Sequence, residues 1–206
     1  MTELDAINMM LAVIGEAPIT EFSSVSANEI TDSAFAKRTL AETSLTVQAE
    51  GWPWNTDSGV NLYPNSSNQY TVPEPVLMCV FDRSVYNNRY VLRGRTVWDR
   101  QEQSFEIPNG PNPMVAAQII SKLDWDEIPP QAQQYIAIRS ARIYASRYVN
   151  SNAIFIYTET DEANARAALL REEQFQEPNN MLYGNDQGIP AGQGYYPIAG
   201  TRFRRN

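Results

Sequence analysis

A chain of 206 residues, 43% of them hydrophobic, has the apolar content of one globular domain with a sizeable insertion, and no run of about eighteen apolar residues marks a membrane span. Its net charge of −8 argues against a nonspecific nucleic-acid binder, because displacing counterions from phosphates takes a surplus of Lys and Arg. With no histidine and one cysteine, Cys79, it lacks the commonest general base, the usual triads and any multi-cysteine metal site, and an intrachain disulfide is impossible.

The first predicted helix runs over 3–14. Thr2 and Asp5 have the spacing of a capping box, Leu4, Ile7, Leu11 and Ile14 form one apolar stripe, and Gly15 with Pro18 stops the helix. No basic segment precedes this apolar stretch, so no signal peptide is expected. The second helix is expected over 29–50, entered by a capping box of Ser26 and Glu29. Its face is read as Ile30, Ala34, Ala41 and Leu45, and Gly51 with Pro53 ends it.

From Trp52 to Leu123 the pattern turns strand-like. "GVNLYP", "PVLMCVFDR", "RYVLRGRTVWDR", "SFEIP" and "MVAAQIISKL" are short, rich in Val, Ile, Tyr and Phe, and separated by Pro, Asn and Gly. A hairpin is expected around Gly94, and Cys79 is expected as a buried core thiol. The segment reads as a small antiparallel sheet inserted between two pairs of helices.

The third helix starts at "IPPQAQQY", where Pro129 and Pro130 suit a first turn that has no intrahelical use for their missing N–H groups. Asp124, Asp126 and Glu127 precede it, at the positive end of its dipole. It runs to about Val149, with Ala137, Ala141, Ala145 and Tyr148 as a narrow face for close packing. The fourth helix is expected over 159–177, capped by Thr158 with Asp161, carrying Glu162 and Arg166 as an i, i+4 pair and followed by Pro178. The fold class is therefore α+β: an antiparallel bundle of about four helices (1–51 and 124–185), a β-rich lobe (52–123) and an extended arm (186–206).

The arm "QGIPAGQGYYPIAGTRFRRN" has neither helical nor strand periodicity. Residues 186–206 hold one acid, Asp186, and three arginines, a net +2 on a body of −10. Such a tail suits an acidic surface of a neighbour, with Tyr195, Tyr196 and Phe203 as anchors and Arg202, Arg204 and Arg205 as charge partners. On the third helix, Tyr135, Tyr144 and Tyr148 with Arg139, Arg142 and Arg147 make a polar-aromatic mixture suited to a subunit interface. Those arginines pair with acids of the bundle or of an adjacent subunit. The tryptophans Trp52, Trp54, Trp98 and Trp125 fall near element ends, as junction anchors.

Catalytic signals are thin. "DWDE" holds Asp124, Asp126 and Glu127 beside Trp125, the residue types of a two-carboxylate glycosidase, and equally those of an acidic entry to a helix. "LRGR" lacks the second glycine and the Lys-Ser/Thr of a phosphate loop.

The order of motifs resembles the tail tubular protein A family, the head-to-tail adaptor of short-tailed phages. The segments "LDAINMMLAVIGEAPI" (4–19), "AKRTLAETSLTVQAEGWPWNTDSGVNLYP" (36–64), "RGRTVWDR" (93–100), "LDWDEIPPQAQQYIAIRSARIYASRYV" (123–149) and "NNMLYGN" (179–185) carry the resemblance. It implies a structural virion protein without catalytic residues, cofactor or membrane, forming a twelve-subunit ring below the portal and above the nozzle (tubular protein B). Tail fibres attach around the junction and DNA passes through the channel without sequence-specific binding; assembly takes place in the host cytoplasm. A virion-borne carbohydrate hydrolase using the "DWDE" carboxylates and a monomeric binding module are the competing readings.

Overall fold

The structure is a computed structural model that describes residues 1–21, 31–148 and 159–176. Helix α1 (Glu3–Ile14) begins at the expected capping box: the Asp5 N–H donates to the Thr2 hydroxyl at 3.1 Å and the Thr2 N–H donates to the Asp5 carboxylate at 2.9 Å. It ends at Gly15, whose φ of +80° is open to glycine at little cost and whose N–H returns to the Ala12 and Leu11 carbonyls. Ala6, Ile7, Met10 and Leu11 are buried, so the predicted stripe is right at its centre, while Leu4 and Ile14 are only half-buried. Past the helix, the Asn8 amide bonds both the N–H and the carbonyl of Ile19 and turns the chain back along α1.

Helix α2 (Asp32–Gln48) starts later than expected. Its cap is Thr31, which accepts from the Ala34 N–H; the proposed Ser26–Glu29 box lies outside the described residues. The buried face is also different. It is Ala36, Thr39, Leu40, Thr43 and Val47, whereas Ala41 and Leu45 face outward. Threonines conceal this face from a hydropathy reading. Thr39 donates to the Phe35 carbonyl at 3.0 Å and Thr43 to the Thr39 carbonyl at 2.8 Å, so each hydroxyl is satisfied inside the helix and only its methyl meets the core.

Helix α4 (Pro130–Tyr148) opens on its proline and packs against α1, α2 and α5 (Glu159–Gln176). Its small residues Ala132, Ala137, Ala141 and Ala145 are buried and let the neighbouring helices approach closely. The helical core gathers Ile7, Met10, Leu11, Leu40, Val47, Trp52, Ile128, Tyr135, Ile136, Tyr144 and Leu169. The capping role expected of Thr158 lies outside the described residues.

The β lobe holds a three-stranded antiparallel sheet in the order β1 (Thr56–Leu62), β5 (Met114–Ser121), β2 (Val76–Phe81), and the hairpin β3 (Tyr90–Arg93) with β4 (Thr96–Asp99). The hairpin turns at Gly94, φ +62°, with Arg93 opposite Thr96, as the sequence implies. Between β2 and β3 sits one helical turn, α3 (Arg83–Tyr86), capped by Asp82. "SFEIP" forms no strand: Ser104 makes a single bridge to Asp99, and Phe105 meets Trp98 edge-on at 4.7 Å. The lobe has its own core of Leu62, Tyr70, Val72, Phe81, Tyr90, Val97, Ile107, Met114, Ala116 and Ile119. Cys79 stands half-buried against it rather than within it, because β2 is an edge strand.

The two cores meet at "GWPWN". The Trp52 indole donates to the Val47 carbonyl at 2.7 Å and stacks on Trp54. Asn55 accepts from the Trp52 N–H at 2.8 Å and donates to the Gln48 carbonyl at 2.8 Å and to the Ser121 carbonyl at 3.0 Å. One buried amide therefore ties the chain leaving the bundle to the chain returning from the sheet.

Candidate functional site

The chemistry of the bundle surface is concentrated where α4, α5 and the end of α2 converge. The α4 sequence PQAQQYIAIRSARIYASRY contains Arg139, Arg142 and Arg147 and no acid. Among the described residues their ion-pair partners are glutamates outside α4. Arg142 pairs with Glu162 and, at 3.9 Å, with Glu159; Arg139 reaches Glu162 at 3.7 Å and Glu50 at 3.6 Å; Arg147 bonds Glu42 at 3.0 Å. Arg166 of α5 completes the network on Glu50 at 2.8 Å. The expected pair within α5 is thus replaced by pairs between helices, since Glu162 and Arg166 both point toward α4 and the end of α2.

Tyr135 lies under this network. It is fully buried, and its hydroxyl accepts from Arg139 at 2.7 Å and from Arg166 at 3.2 Å. Burial disfavours the charge of Arg166, but Tyr135 and Glu50 outweigh it and raise the guanidinium pKa. Glu42, held by Arg147 and then by Arg38, has a lowered carboxylate pKa.

Tyr135 and Tyr144, read from the sequence as interface aromatics, are core residues of the subunit. Tyr144 is fully buried, donates to the Asp32 carbonyl at 3.2 Å and sits 5.4 Å from the Phe35 ring. Arg139, Arg142 and Arg147 pair with acids of their own bundle. Tyr148 ends α4, and its side chain lies outside the described residues, as do Tyr195, Tyr196, Arg202, Phe203, Arg204 and Arg205. Sequence reasoning missed Glu42 and Glu50. Glu42 lies on α2 and Glu50 just past its end, and no local spacing links them to arginines about a hundred positions away.

The β lobe presents two further features. Asp99 is fully buried and held by Arg89 through two contacts, 2.8 and 2.7 Å, while its other oxygen accepts from the Gln101 N–H at 2.8 Å. On the hairpin's outer face the Arg93 guanidinium lies 4.3 Å over the Trp98 ring, which in turn meets Phe105. The three-stranded sheet exposes Met78, Val80 and Val115.

The "DWDE" segment is an entry to α4. It forms a short 3-10 turn in which Glu127 accepts the Asp124 N–H at 3.2 Å. Trp125 packs on the helical core, its indole donating to the Met1 carbonyl and its own carbonyl accepting from Gln133. Among the described residues no group of three or more Cys, Asp or Glu side chains is placed to hold a metal ion, and no helix is long and apolar enough to cross a membrane.

A joint of this kind is suited to holding helices in register. No curated protein matches the chain. The family described as Tail tubular protein matches residues 4–179, which spans both cores, the "GWPWN" junction and the arginine–glutamate joint. The chain therefore belongs to the tail tubular protein family and is a structural component of a phage tail.

Proposed function

We propose that this chain is the head-to-tail adaptor of its tail: a twelve-subunit ring that joins the portal to the nozzle (tubular protein B), provides a platform for tail fibres and leaves a passage for DNA. The reading is supported by the match to the tail tubular family over residues 4–179, taken together with the resemblance of the motif order in the sequence to the adaptor family. Charge supports it. Twelve copies at −8 each bring about −96 to the ring, and like charge keeps DNA from adhering to the channel. The bundle supplies the lateral contacts, with the outward Ala41 and Leu45 of α2 as one apolar strip left over by the internal core.

In this reading the β lobe, 52–123, faces the nozzle and its polar loop "YPNSSNQYTVPEP" docks there. The arm, 186–206, lies on the portal or on an adjacent adaptor, through Tyr195, Tyr196 and Phe203 and the three arginines. A truncation ending at Asn185 then keeps the fold but docks poorly on portal rings. The deciding experiment is an image of the virion neck with this chain fitted into it. Twelvefold density between portal and nozzle is the expected result; a single copy, or a position elsewhere in the tail, refutes the adaptor role.

A further inference from the structure

The side chains described on helix α5 meet the bundle through several charged contacts and a small apolar one. Among its described apolar side chains Leu169 is buried and Ala165 and Ala167 are half-buried, whereas α1 buries Ala6, Ile7, Met10 and Leu11. The charged contacts of the described joint include Glu162 on Arg142 and Arg139, and Arg166 on Glu50 and the Tyr135 hydroxyl. A cleft of about 310 Å³, lined by Tyr135, Arg142, Glu159, Glu162, Ala163 and Arg166, opens inside it. Ion pairs with partly exposed members add little net stability and weaken with salt, yet they specify which helix face meets which.

The charges of the two helices are complementary. Over Pro130–Tyr148, α4 carries three arginines and no acid, a net +3. Over Glu159–Gln176, α5 carries five acids (Glu159, Asp161, Glu162, Glu172, Glu173) against Arg166 and Arg171, a net −3. Two chains of −8 repel one another as wholes, but an α5 of one copy meets attraction at the α4 of another.

We propose that α5 is an exchangeable helix: the face of α4 and the end of α2 that it covers accept α5 of a second copy, stapling neighbouring subunits together. The swapped joint repeats every internal contact, so exchange sacrifices none of them. Residues 149–158 join α4 to α5, and a chain of that length reaches up to about 33 Å, the scale of a helical bundle. The inference rests on the ring reading above and deepens it by naming the lateral contact.

Complementary charge reversals test it in the full-length chain. Glu162→Arg and Arg142→Glu each place like charges at the joint, and the variant R142E/E162R restores the match within one chain. Under exchange, each single variant assembles poorly alone, while an equimolar mixture assembles roughly ten-fold more. In the mixture the new arginine of the E162R chain meets the new glutamate of the R142E chain, and the second joint keeps its native pair. A mixture no better than its components, beside an assembling R142E/E162R chain, overturns the exchange but leaves the ring standing. A neck image without twelvefold density refutes the ring whatever the mixture does. Should the reversals unfold the bundle, a short thiol crosslink between one copy carrying Gln131→Cys and another carrying Glu172→Cys, positions whose side chains meet across the α4–α5 joint, both on a Cys79→Ala background, decides the same question. A crosslink between copies that forms on mixing supports exchange, and its absence after prolonged mixing, with the crosslink still forming in a single chain that carries both cysteines, overturns it.

Discussion

Gln48 clamps Leu123 through both of its backbone polar groups. The Gln48 side-chain oxygen accepts the Leu123 N–H at 2.6 Å and its amide donates to the Leu123 carbonyl at 3.1 Å, with a further bond to the Ser44 hydroxyl. The residue is fully buried at the last turn of α2, and Leu123 is where the chain re-enters the bundle from β5. Replacing Gln48 by Leu keeps the volume but leaves two partly buried backbone groups of Leu123 without their side-chain partner. The expected cost is about 2–4 kcal/mol, read as a lowered denaturant midpoint with little change in slope.

Gly51 is the second junction residue. Its φ is +78°, and an added Cβ lies 2.7 Å from the Ile120 Cδ1 atom. Ile120 faces this turn while its neighbour Ile119 enters the lobe core, as strand alternation requires of adjacent residues. Gly51→Ala therefore strains the backbone and crowds a core methyl, with an expected loss of about 1–3 kcal/mol in thermal unfolding. Gly51→Ala combined with Ile120→Val should recover part of it.

Asp99 makes the β lobe acid-sensitive. Burial pushes its carboxyl pKa up, but Arg89 and the N–H groups of Gln101 and Glu102 push harder, leaving it below the ordinary 3.8. A depressed carboxylate pKa contributes stability that is complete above the unfolded value and is lost as pH falls through the folded one. The wild type should hold its stability from neutral pH down to about 4 and lose this contribution below it. Asp99→Asn should cost about 2 kcal/mol at neutral pH and flatten the acid limb of the stability profile.

Cys79 should be slow to modify. Burial raises its thiol pKa to about 11, so little thiolate is present near neutral pH. Alkylation of the native chain should run about a hundred-fold slower than that of an exposed cysteine and rise with pH past neutrality. Unfolding in denaturant should remove the difference.

Much of the fold was legible. The capping box of α1, the prolines that open α4, the hairpin at Gly94 and the change from helical to strand-like spacing near Trp52 are local signals with local causes, and each appears in the structure. The order of motifs carried the tail tubular family, which the match over residues 4–179 bears out. What misled was also local. The buried face of α2 is written in threonines that satisfy their own hydroxyls, so the more hydrophobic strip of Ala41 and Leu45 looked like the core and turned out to face solvent.

The charged residues show the division most clearly. Sequence alone settled that α4 is a cationic helix without acids and that α5 is acidic, because composition is a property of the chain. It did not settle that Tyr135 and Tyr144 are buried, or that Arg139 and Arg142 find Glu50 and Glu162. Those partners lie far apart along the chain, so no local spacing announces them. A contact between distant residues depends on how the helices pack in space, and that packing is driven by the apolar core beneath. Charge chose which partners were possible, and tertiary structure decided which of them met.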